Sequence, residues 1–92
     1  MRDTEIAKAR FSPNFVDEIR KNVERLVPEL QLAPGEPELG LAHLLGELLA
    51  LKGSSTQRHA EARALYDYIV TIADETATDR LWHPSGGEEN GA

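Results

Sequence analysis

Seven leucines fall between Pro37 and Gly53, and their spacing constrains the fold more than any other feature of the chain. At about 100° per residue, Leu41, Ala42, Leu44, Leu45, Leu48, Leu49 and Leu51 make one continuous apolar arc of about 180° on a helix. The strip left over holds Leu39, Gly40, His43, Gly46, Glu47 and Ala50. A surface helix usually shows an apolar stripe only somewhat over 100° wide. This segment is therefore expected to be the central element, with Leu44, Leu45 and Leu48 in the core. Pro37 suits its first turn, Glu36 and Glu38 suit its positive end, and Gly53 suits its stop. With Ala42 and Ala50, Gly40 and Gly46 offer a surface of small residues that a second helix can approach closely.

Two flanking segments repeat the helical period. From Pro13 to about Val27 or Leu30, the apolar positions Phe15, Val16, Ile19, Val23, Leu26, Val27 and Leu30 are spaced by three and four. Ser12 followed by Pro13 is a good N-cap and first-turn pair. Pro28 lacks an amide hydrogen and crowds the carbonyl of Glu24, so a stop or kink is expected there. On the solvated face, Asp17 and Lys21 stand at the spacing of an ion pair. After Gly53, Ser54 with Gln57 reads as a capping box. The helix it opens has Ala62, Leu65, Tyr66, Ile69, Ile72, Ala73 and Ala77 on one face and extends to Leu81 or Trp82, before Pro84.

A shorter element is expected from Asp3 or Thr4 to Arg10, with Ile6, Ala7 and Phe11 on one side. The fold class that follows is all-α: a small three-helix bundle with a short extra N-terminal helix. Residues 1–84 form the single domain and 85–92 a flexible acidic tail. The third long helix outruns its neighbours, at roughly 40 Å against roughly 25 Å. Ile72, Ala77, Leu81 and Trp82 therefore need an apolar cover, from the N-terminal helix through Phe11 or from a second protein chain.

Several function classes are disfavoured. The chain has no cysteine, which removes disulfides, thiolate metal sites and a thiol nucleophile. A net charge of −6 works against nucleic acid and anionic membranes unless cations are segregated. The nearest such cluster is Lys52, Arg58, His59 and Arg63, with Glu61 inside it. The apolar run from Leu39 to Leu51 falls short of the roughly 20 residues that span a bilayer, and no apolar signal opens the chain. A cytoplasmic protein without a membrane segment is expected.

Three constellations remain. His43 and Glu47, four apart on one helix, are able to give two ligands to one metal. Bundle metal sites gather more carboxylates than that and use a Glu-x-x-His spacing, which is absent, so an exposed polar pair with no metal is the expectation. Arg58, His59 and Arg63, near the start of the third long helix, are the candidate nucleic-acid contacts of a helix-turn-helix reading. Ala42 and Gly46 stand four apart as in that motif, but the helix runs on where its turn belongs. Phe11, Ile72, Ala77, Leu81 and Trp82 form the candidate protein interface.

No phosphate loop, nucleophile elbow or paired carboxylates of recognisable spacing are present, and no cofactor is expected. The sequence points away from an enzyme and toward a small acidic interaction module, an accessory subunit, adaptor or inhibitor. Its partner is another protein or a second copy. The competing readings are an oligomeric metal- or cofactor-assisted enzyme subunit using His43 and Glu47, and a nucleic-acid binder.

Overall fold

The computed structural model describes the backbone of residues 4–82 and the side chains of residues 4–79. Four helices follow one another: α1 Glu5–Lys8, α2 Pro13–Glu29, α3 Glu36–Leu49 and α4 Ser55–Trp82. The protein is all-α. The tail at 85–92 and the side chains of Leu81 and Trp82 lie outside the described residues.

Local chemistry explains most helix ends. The Thr4 hydroxyl accepts from the Ala7 amide at 3.0 Å, and α1 ends at Lys8, two residues before Arg10. Ser12 caps α2 through the Phe15 amide at 3.3 Å, ahead of Pro13. Ser54 caps α4 through the Gln57 amide at 3.1 Å. On the surface of α2 the cation paired with Asp17 is Arg20, at 2.6 Å, while Lys21 turns to Glu18 at 3.8 Å. Both are exposed pairs of small energetic weight.

Pro28 does not end α2 directly. Helix α2 runs one residue beyond it, because the missing proline amide costs only the bond to Glu24 while the Leu30 amide still reaches the Leu26 carbonyl at 2.8 Å. The stop follows at Gln31, whose φ of 54° is left-handed. There the Gln31 amide donates to the Pro28 carbonyl at 3.2 Å and the Leu32 amide to the Val27 carbonyl at 2.9 Å. This bond pattern is a Schellman motif with glutamine in the position glycine usually takes. Gly35, with φ of 92°, turns the chain into α3, where Glu36 and Glu38 occupy the first turn.

Tertiary packing is sparse. Helices α1 and α3 both rest on the first half of α4. Helix α2 faces α3 across a shallow apolar depression lined in part by Val23, Leu26, Leu41 and Leu44. The radius of gyration is 16.2 Å, against about 12 Å for a compact chain of this length. Among the described residues no apolar side chain is buried, and the buried ones are Thr4 and Glu61.

The expected core is thereby corrected. Leu45 is half-buried, but Leu44 and Leu48 remain 56% and 59% exposed. Helix α3 has apolar surface around half its circumference, and two neighbours that touch only parts of it leave the rest uncovered. Nor, among the described residues, does any element approach Gly40 or Gly46 closely, since a Cβ at either would meet nothing within 4 Å.

Candidate interaction surface

A buried carboxylate sets the geometry of the surface. Glu61, two turns into α4, is 1% exposed and accepts from the Glu5 amide at 2.7 Å and the Ile6 amide at 3.0 Å. Short helices leave their first amides without partners, and here an acidic side chain 56 residues away supplies the acceptors for two of them. Its charge also suits the positive end of the helix. Lys52, at the α3–α4 junction, forms an ion pair with Glu5. Together these contacts pin α1 beside the start of α4.

That anchoring decides what covers the rest of α4. Ile72 lies eleven residues beyond Glu61, about 16 Å along the helix axis at 1.5 Å per residue. A helix of four residues fixed at Glu61 does not reach it. Phe11 remains 64% exposed and Ile72 42% exposed, with Ala77 also exposed. The N-terminal helix therefore does not cover Ile72 and Ala77, the described residues of this strip.

What results is an extensive display of apolar side chains. Leu39, Leu41, Leu44, Leu48 and Leu51 are exposed on and just after α3, and Tyr66, Tyr68, Ile69, Val70 and Ile72 on α4. Between α1, the end of α3 and the start of α4 lies an open groove of about 560 Å³, whose apolar lining includes Ile6, Leu45, Leu48, Leu49 and Leu65. Among the described residues fourteen large apolar side chains are exposed, on average by about half. Full burial of one such side chain is worth about 1.5–3 kcal/mol, so on the order of 10–20 kcal/mol of hydrophobic free energy is unrealised in the single chain. An entire domain is stable by only about 5–15 kcal/mol. Scattered exposed leucines are ordinary on protein surfaces; the absence of any buried apolar side chain beneath them among the described residues is not.

The other candidate residues are dispersed. His43 Nε2 lies 3.1 Å from Glu47 Oε2, and both side chains are exposed, at 72% and 65%. Among the described residues no group of three His, Asp or Glu converges on a metal-sized site. His43→Ala is expected to change stability by no more than about 0.5 kcal/mol, as at ordinary surface positions. Thermal melts with and without added zinc check this, and a zinc-dependent rise lost in the variant would restore the metal reading.

Of the candidate nucleic-acid residues, Arg63 pairs with Asp67 at 3.6 Å and stands 5.8 Å over the Tyr66 ring. His59 Nδ1 is 2.9 Å from the Ser55 carbonyl oxygen. Arg58 is exposed. Two of the three are thus engaged within their own helix. Among the described residues no helix is long and apolar enough to cross a membrane.

Glu61 is the residue that sequence reasoning missed. Pattern alone places it within a weak basic cluster, and nothing local marks a carboxylate that caps a helix far away in the chain. Compared with known proteins, the chain matches no family model, no curated protein and no solved structure.

Proposed function

We propose that this chain is a helical protein–protein interaction module, an accessory subunit, adaptor or inhibitor whose hydrophobic core is completed by another polypeptide. The observation that carries this reading is the absence of any buried apolar side chain among the described residues, beside fourteen large exposed ones. The helices are individually well specified by caps and turn residues, so their apolar faces are presented on ordered elements. Such faces, contiguous beyond a few hundred Å², mark interaction sites. A net charge of −6 keeps the unassembled chain soluble.

The test is a dilution series of the purified protein followed by sedimentation velocity, circular dichroism and dye binding. Assembled protein is expected to melt in one cooperative transition whose midpoint rises with concentration. Chain held as a monomer is expected to keep helix, lose cooperativity and bind a hydrophobic dye. A monomer that melts cooperatively at every concentration and binds no dye would overturn the reading.

A further inference from the structure

Among the described residues, no other element covers the distal half of α4. Every residue from Tyr66 to Asp79 is exposed, and α1 and α3 rest on the helix before this stretch. Fourteen residues are about 21 Å of helix, and isolated helices shorter than ~12–15 residues are marginal in water. Tyr66, Tyr68, Ile69, Val70 and Ile72 are its large apolar side chains. The proximal half of the same helix borders the open groove, where Leu65 faces Leu45, Leu48 and Leu49 of α3.

Charges without a described partner are unevenly placed about the two ends of α4, although Arg80 follows Asp79 in sequence. Lys8, Arg10 and Arg58 belong to the proximal end, and Asp74, Glu75 and Asp79 to the distal end. None of the six forms an ion pair with another described residue. Asp79 lies in the last turn of α4, at the negative pole of the helix dipole. One heptad column, Arg58–Leu65–Ile72–Asp79, reads cation, apolar, apolar, carboxylate. With Ile69 these residues fall within an arc of about 80°. Reversed and laid against itself, the column sets cation against carboxylate at both ends and apolar against apolar between.

We propose that the partner is a second copy of this chain: α4 of each copy lies antiparallel along α4 of the other. The distal half of one then covers the leucine groove of its mate. A two-fold axis beside Tyr68 and Ile69 sets Arg58 opposite Asp79 of the second copy and Leu65 opposite its Ile72. The arrangement is isologous, so the groove and the helix that fills it are supplied twice and the assembly closes as a dimer. The proposal rests on the reading of the chain as an interaction module.

Charge reversal tests it in the full-length protein by sedimentation equilibrium. Arg58→Glu alone and Asp79→Arg alone each place like charges at both ends of the dimer and are expected to weaken it at least about tenfold. Equimolar mixing of the two variants is expected to restore the affinity as a heterodimer, and Arg58→Glu/Asp79→Arg in one chain to restore the homodimer. Because the chain has no cysteine, Arg58→Cys/Asp79→Cys adds a direct readout. Mild oxidation should link position 58 of one copy to position 79 of the other, identified by mass spectrometry of the linked peptides.

A dimer without rescue on mixing, or one that crosslinks 79 to 79, overturns the antiparallel helix pairing. A non-cooperative, dye-binding monomer that never dimerises overturns self-association while leaving the interaction module standing. A cooperative, dye-free monomer overturns both.

Discussion

Ile69→Asp is expected to weaken assembly at least about a hundredfold and to abolish the cooperative thermal transition at micromolar concentration. Ile69 is 52% exposed in the single chain and lies on the face of α4 that carries Leu65 and Ile72. Losing the apolar side chain forfeits about 1.5–3 kcal/mol of burial. Bringing a carboxylate into an apolar contact adds several kcal/mol, because no cation on that face is placed to pair with it. A two-fold assembly incurs the cost twice.

The control is Thr71→Asp, on the opposite side of the same helix, which should stay within about 0.5 kcal/mol of the parent. Sedimentation and thermal melts on matched concentrations separate the two variants. Equal behaviour of Ile69→Asp and Thr71→Asp would show that this face of α4 packs against nothing. The same logic predicts a concentration-dependent cost for Leu48→Ala. The change is small while Leu48 is solvated, but approaches the roughly 2–5 kcal/mol of a core leucine once the groove is filled.

Helix existence and boundaries were legible because their causes are local. Ser12–Pro13 and Ser54 act within a few residues of the ends they define, and the three-and-four spacing of apolar residues needs no tertiary information; Gly53 does not end α3, which stops at Leu49 with Ala50 as its C-cap. The stop of α2 was only half legible. Pro28 announces it, but the αL residue that completes it is Gln31, and glutamine carries no such signal.

Periodicity also identifies the apolar face of a helix without saying what covers it. The arc on α3 is the same whether its cover comes from the same chain or another, so Leu44 and Leu48 read as core and stand exposed. The exposed apolar surface was legible in part. Ile72 and Ala77 are exposed on α4, whereas Leu48, Leu51 and Ile69, also exposed, read from sequence as part of the apolar faces.

Glu61 was illegible for a different reason: its partners lie 56 and 55 residues away. Its removal gives the second large expected effect. The carboxylate accepts two α1 amides from a position 1% exposed, and hydrogen bonds to charged groups contribute about 1.5–3 kcal/mol each. Glu61→Ala is expected to cost about 2–4 kcal/mol, less than the simple total, since the released amides of Glu5 and Ile6 recover water.

Glu61→Gln keeps the shape and one acceptor oxygen, but it loses the charge and presents an amide group toward one of the backbone donors. About half that cost is expected from the loss of one charged hydrogen bond. The decisive measurement is residue-resolved hydrogen exchange. Protection of the Glu5 and Ile6 amides should vanish in Glu61→Ala and fall in Glu61→Gln. The Phe15 amide, capped by Ser12 within α2, serves as the reference and should not change. With α1 released, the Lys52–Glu5 ion pair loses its fixed geometry, and the groove beside Leu65 loses the wall that Ile6 supplies. Weaker assembly should accompany the loss of protection. If Glu61→Ala leaves both amides protected, the carboxylate is not the anchor of α1, and the groove owes its shape to α3 and α4 alone.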